Sequence, residues 1–327
     1  MIPAGILSVV LTLLCGLHEA ASVEHEVRPR IDEQAEATKP ELYRMSAEPF
    51  RYRMRLVQEV ESLDLFIYEI RFPSARPSPY EVNNVVYGHY YLPRRANGQR
   101  VPGVIVLDIL DGTQRVARAQ ALYLAMRGVA AMTLYLPYYG PRRPGNVRFL
   151  SLNLDHTRSA MAQAVSDVRR AAAILLSRPE IDNERLAILG TSFGSFVAAL
   201  SAEMEPAFRR VMLMLGGGGL VEAYYHHPRI APYRKLWEAL GGTKERLQEL
   251  IAPLDPLTYA ARLRDRDVIM LAGKRDEIVP VQAAENLARA ANAKLILFDC
   301  SHHGAILYFI PAMEICLGHV RKPNKAG

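Results

Sequence analysis

Tryptophan occurs once and cysteine three times in the 327 residues of this chain. So few cysteines exclude a fold held by a disulfide framework, and a chain of this length can bury a large core without one. The 40 Lys+Arg and 34 Asp+Glu leave a net charge of +6, yet no run of five or more basic residues appears. Scattered charge of this kind describes a mildly basic surface, and no nucleic-acid partner is expected. Internal repeats and low-complexity blocks are absent, which argues against a solenoid or a linker-like chain. With 50% apolar and 23% charged residues, the composition also excludes a disordered or collagen-like chain.

What the sequence does contain begins at its N-terminus. Ile2 to Leu17 is almost wholly apolar and is followed by His18-Glu19-Ala20-Ala21-Ser22. That stretch falls short of the ~20 residues needed to cross a bilayer. An apolar core followed by small residues has the form of a secretory signal peptide, here residues 1–22. The expectation is export, to a periplasmic or extracellular site, with Cys15 lost on cleavage. No later segment reaches membrane-spanning length, so no stable membrane insertion of the mature protein is expected. Cys300 and Cys316 then remain, either as a pair or as two buried free thiols. Residues 23–60 read as a polar lead-in, loosely ordered or partly helical, before a single domain over 61–327.

Two rhythms follow. Leu63 to Ile70 and Asn84 to Leu92 read as an antiparallel pair of strands. Short apolar runs then alternate with helical spacing. The runs are Val104–Leu107, Val129–Leu136, Leu186–Leu189, Val211–Leu215, Val268–Leu271 and Leu295–Phe298. The helical segments are Ala117–Arg127, Asp155–Ser177 and Phe193–Glu203. Continuous apolar runs suit strands buried on both faces, and their alternation with helices predicts an α/β fold with a mostly parallel central sheet. The interval between the Val211 and Val268 strands is too long for one crossover helix. Its excess, about residues 219–256, reads as a helical lid insertion.

Gly190-Thr191-Ser192-Phe193-Gly194 has the form G-x-S-x-G. It directly follows a buried run and directly precedes a helix, the setting in which a serine is held on a tight elbow. A serine hydroxyl needs a base, and the base needs an orienting acid. Asp276 lies just past the Val268 strand, with Glu277 as its neighbouring rival. Past the Leu295 strand lie His302 and His303. His303 precedes Gly304 and a helical run and is the expected base, with His302 the alternative. The catalytic set is therefore Ser192, Asp276 and His303. An oxyanion hole would take the backbone N–H of Phe193 and that of Leu110, on the loop Asp108 to Thr113. Tyr138, Tyr139, Arg142 and Arg143 follow another strand, and the arginines are candidates for a carboxylate or phosphate on the substrate. His226 and His227 in the insertion are adjacent and point apart on a helix, so no metal site is expected there.

The elbow, acid loop and His-Gly loop, in this order and strand context, resemble the α/β-hydrolase superfamily over residues 60–320. Val104 to Gly112 and Leu136-Pro137-Tyr138-Tyr139-Gly140 are similar to stretches of the dienelactone hydrolase and serine carboxylesterase group. That resemblance implies Leu110 as the second oxyanion donor, and no metal or organic cofactor. The chain departs from dienelactone hydrolases in having Ser192 for their cysteine and Ile109 for a glutamate. The implied activity is an exported serine carboxylic ester hydrolase acting on a small-molecule ester or acyl substrate. The alternatives are a serine peptidase of prolyl-oligopeptidase type and a non-catalytic binding protein on the same fold.

Overall fold

The computed structural model describes residues 22–94, 99–110, 112–228 and 230–322. The apolar stretch 2–17 lies outside them. The strands are β1 (Val23–Val27), β2 (Phe50–Val60), β3 (Leu65–Pro73), β4 (Val85–Pro93), β5 (Val101–Leu107), β6 (Ala130–Leu134), β7 (Ile181–Thr191), β8 (Arg210–Met214), β9 (Asp267–Gly273) and β10 (Lys294–Phe298). They form one sheet in the order β1-β2-β3-β4-β6-β5-β7-β8-β9-β10. From β6 to β10 every pairing is parallel, and from β1 to β6 through β4 every pairing is antiparallel.

The helices are α1 (Glu33–Ala37), α2 (Arg115–Ala125), α3 (Leu154–Ser177), α4 (Phe193–Met204), α5 (Leu220–Tyr224), α6 (Ala231–Ala239), α7 (Lys244–Ile251), α8 (Val281–Ala291) and α9 (Phe309–Arg321). The period-2 geometry of a strand sends alternate side chains to opposite faces. In β5, Ile105 and Leu107 join the apolar cluster built with α3, α4 and α8. Val104 and Val106 join a second cluster with α2 and α9. The sheet is thus covered on both faces, which is why these strands read as unbroken apolar runs.

Three expectations need correction. The segment 23–60 is not a loose lead-in: β1 and β2 extend the sheet, and α1 docks on α3. Glu36 of α1 accepts from both terminal nitrogens of the buried Arg169 at 2.8 and 2.7 Å. Arg169 also reaches Glu205 at 3.3 Å. These charged residues read as polar surface in sequence, but here they pair inside the fold. The insertion does fold into α5, α6 and α7, but none of its residues lines the cavity described below. Finally, His303–Arg321 is long and apolar enough by length and composition to cross a membrane. Its inner face joins the core: Ala312, Met313, Cys316, Leu317 and Val320 are buried in the second cluster.

Cys300 and Cys316 are both free and buried. Burial pushes the Cys316 thiol up to about 12, as expected for a thiol with no charge to stabilise its anion.

Candidate active site

Ser192 sits between β7 and α4 with φ 52° and ψ −118°, a left-handed backbone that a residue with a Cβ adopts only under constraint. The constraint comes from both sides. Ser192 N–H donates to the Met214 carbonyl of β8 at 2.8 Å, and its own carbonyl accepts from Ser195 N–H at 2.9 Å. The flanking glycines allow the close packing this requires. A Cβ on Gly190 would overlap the Gly194 carbonyl, and one on Gly194 would overlap the carbonyls of Leu107 and Asp108.

The structure brings His302, not His303, to the serine. His302 Nε2 lies 3.0 Å from Ser192 Oγ, and its Nδ1 lies 2.8 Å from Asp276 Oδ2. The other oxygen of Asp276 accepts from the N–H groups of Ile278 and Val279, both at 2.8 Å. The side chains of His302 and Asp276 are 10% and 1% exposed. The expectation of His303 fails because the chain turns one residue earlier than Gly304 suggests. Ser301 starts the turn, its hydroxyl accepting from Gly304 N–H and its carbonyl from Ala305 N–H. His302 then stands at the head of a 3₁₀ turn over His303–Tyr308. Neighbouring residues on a 3₁₀ turn point about 120° apart, so only one of the two faces Asp276. His303 is exposed at the cavity rim.

Glu277, the rival acid, has a different place. Its carboxylate accepts from His302 N–H at 3.2 Å. Its own backbone N–H and that of His302 hold its carboxyl below the usual range. Glu277 thus anchors the backbone of the histidine loop, while Asp276 meets the imidazole. Tyr224 of α5 adjoins this loop; burial, and then the charge of Asp276, push its phenol up.

Of the two expected oxyanion donors, Phe193 adjoins the serine in the chain and Leu110 lines the same cavity as Ser192. Phe193 N–H opens α4, and Leu110 lies on the loop after β5 and lines the cavity. Among the described residues neither N–H donates to a protein acceptor. Asp108, one residue past β5, fixes that loop: its carboxylate accepts from Gln114 N–H at 2.6 Å and Ala117 N–H at 3.0 Å. This role for Asp108 is legible only once the helix start is placed.

The candidate anion-binding arginines stand elsewhere. Arg142 is fully buried and donates to the Asn83 and Tyr135 carbonyls and to Asp167 at 2.7 Å. Arg143 donates to the Tyr138 carbonyl and lies over the Tyr139 ring. Tyr138 and Tyr139 are buried, and none of these four residues lines the cavity. The loop is a structural brace. His226 and His227 do not belong to any cluster suited to a metal ion among the described residues.

A cavity of about 400 Å³ opens beside Ser192, walled by the loops after β5, β9 and β10 and by α2 and α9. It lies at the carboxyl ends of the parallel strands, where ligands bind in open α/β sheets.

Residues 155–304, somewhat under half of the chain, match the model of the prolyl oligopeptidase family. An uncharacterized Mycobacterium tuberculosis protein (strain ATCC 25618 / H37Rv) is 28% identical over 245 residues, covering 68% of this chain and 74% of its own. Among solved structures, an acetyl xylan esterase from Paenibacillus sp. R4 superposes with a TM-score of 0.68 at 17% identity. The match covers 88% of this chain and 92% of that one. Acetyl xylan esterase 1 from Thermoanaerobacterium sp. JW/SL YS485 follows with a TM-score of 0.62 at 18% identity, covering 89% and 92%.

Proposed function

We propose that this member of the α/β-hydrolase superfamily is a serine hydrolase that cleaves carboxylic esters through an acyl-enzyme. The observation that carries the reading is the continuous chain Ser192 Oγ, His302 Nε2, His302 Nδ1, Asp276 Oδ2, with links of 3.0 and 2.8 Å. In this mechanism His302 takes the proton of Ser192 as the hydroxyl attacks the ester carbon. Asp276 holds the tautomer with Nδ1–H and stabilises the imidazolium. Its two backbone hydrogen bonds, from Ile278 and Val279, hold it in place. The N–H groups of Phe193 and Leu110 take the developing oxyanion. His302 then protonates the leaving alcohol, and a water activated by the same imidazole releases the acid.

Peptide hydrolysis is the second reading, favoured by the prolyl oligopeptidase match over residues 155–304. The ester reading ranks first because the cavity wall is largely apolar, and among the described residues no carboxylate, lysine or arginine lines it. A peptide backbone would find few partners there. Export, carried by the apolar stretch 2–17, belongs to the same proposal and is checked by the N-terminal sequence of the mature protein. Fluorophosphonate labelling with peptide mapping tests the chemistry. One adduct, on Ser192, is the expected result, and folded protein without an adduct contradicts the reading.

A further inference from the structure

The chemistry of the cavity wall goes further than the reaction class. Its floor is made by Met214, Leu271 and Ala312, each at most 9% exposed. Val116, Phe298 and Phe309 form the sides. Gln120 and Thr191 also face it, but Gln120 Nε2 donates to Thr191 Oγ1 at 2.9 Å, so the pair largely satisfies itself. Among the described residues no lysine or arginine lines the cavity. An anionic substrate would therefore lose its hydration without gaining a counter-charge, next to the carboxylates of the 276–277 loop. The mouth is apolar as well. Leu110 and Ile306 line it at 46% and 65% exposure. Large apolar side chains gathered in water at the edge of a cleft mark a binding surface.

Resting on the ester-hydrolase reading, we propose that the cavity beside Ser192 selects esters bearing an uncharged aliphatic chain of about six to ten carbons. The size follows from the volume. A chain carbon takes up about as much room as a water molecule, roughly 30 Å³, so 400 Å³ holds the reacting ester group and a chain of that length. A polyhydroxylated sugar would instead press most of its hydroxyls against apolar side chains such as Leu110, Ile306 and Phe309, with Tyr308 and His303 among its few polar partners. Val116 and Ala312 are assigned as the residues that set chain length.

The test is kcat/KM for 4-nitrophenyl acetate, butyrate and octanoate, all below their aggregation limits. Each buried methylene is worth up to about fourfold, so octanoate should exceed acetate at least a hundredfold. Octanoate should also exceed the 4-nitrophenyl half-ester of suberic acid, which adds one carboxylate, at least a hundredfold. Methyl octanoate against octyl acetate decides whether the chain sits on the acyl or the alcohol side. Ala312→Leu and Val116→Phe each fill the cavity and should lower the octanoate-to-acetate ratio at least tenfold. A reduced folded fraction would leave that ratio unchanged. No gain with chain length in either the acyl series (acetate to octanoate) or the alcohol series (ethyl to octyl acetate), a preferred anionic ester, or an unchanged chain-length ratio in both variants overturns the proposal while Ser192 still labels. No turnover of any ester together with no labelling overturns the reading beneath it.

Discussion

Replacing each of the two adjacent histidines separately tests the site most sharply. His302→Ala removes both the 3.0 Å link to Ser192 Oγ and the 2.8 Å link to Asp276. It keeps the backbone N–H that Glu277 accepts, so the loop retains its anchor and the loss reports the imidazole alone. Losing the base of such a triad costs about 10⁴–10⁶ in kcat, or ~5.5–8 kcal/mol of barrier. His303→Ala breaks neither link. Its ring meets that of His302 edge-on, with centroids 5.7 Å apart and an interplanar angle of 87°. Such packing is worth about 0.5–1.5 kcal/mol, so at most about a tenfold loss follows even if all of it steadies the base. The assay is steady-state hydrolysis of a 4-nitrophenyl ester, with fluorophosphonate labelling followed over time. The order of the two effects is the diagnostic. A His302→Ala enzyme within a hundredfold of wild type, or a 10⁴-fold loss in His303→Ala, refutes the assignment.

Other consequences can be checked on the same protein. Asp276→Asn should drop kcat about 10⁴-fold with the melting temperature little changed, because an amide favours the wrong imidazole tautomer; an active variant would contradict the role of Asp276. Gly194→Ala should cost about 1–3 kcal/mol in a denaturant melt, since its Cβ overlaps two carbonyls of β5 and the following loop; an unchanged melt would show that the elbow has room to spare. Glu203 is buried on α4 with both carboxyl oxygens unpartnered among the described residues; burial, then the charge of Asp255, push its carboxyl well up. A carboxyl held above its unfolded value contributes its full stability in acid and loses it as pH rises. Glu203→Met should therefore raise the urea midpoint at pH 7.5 and leave it nearly unchanged at pH 4. Glu36 behaves oppositely. Burial raises its carboxyl, but hydrogen bonds from Arg169 and Lys39 outweigh this and hold it at about 2. Its contribution is present above about pH 4.5 and is lost as pH falls toward 2. Glu36→Gln should cost about 1–3 kcal/mol at pH 7 by removing the closer of buried Arg169's two carboxylate partners, as measured by chemical denaturation.

The parallel sheet, the elbow and the acid loop were legible in the sequence because each is written locally. A strand covered on both faces must be apolar at every position, so β5, β7, β8 and β9 stand out as runs. The elbow needs glycines on either side of its serine, and both are adjacent to it in the chain. Asp276 follows its strand at once. The choice between His302 and His303 was not local. It depends on which residue opens the 3₁₀ turn, and Ser301 decides that through bonds to Gly304 and Ala305. Proximity to Gly304 was the wrong cue, since that glycine lies inside the turn rather than before it. The Asp276–Glu277 pair posed the same kind of choice, and there the residue nearer the strand is the one facing the imidazole.

The arginines show why charge in a sequence is a poor guide to exposure. Arg142 and Arg169 are among the largest fully buried side chains of the protein, yet they look no different in sequence from the solvated Arg51 and Arg53 on β2. What buries them is a set of partners far along the chain: Asn83 and Asp167 for Arg142, Glu36 and Glu205 for Arg169. A buried charge survives only where its partner is delivered to it. The polar segment 23–60 delivers Glu36, which is why a stretch that reads as a lead-in is part of the sheet and core. Truncating the chain before β3 would remove that partner and bare the edge of β3, so β1, α1 and β2 belong to the domain.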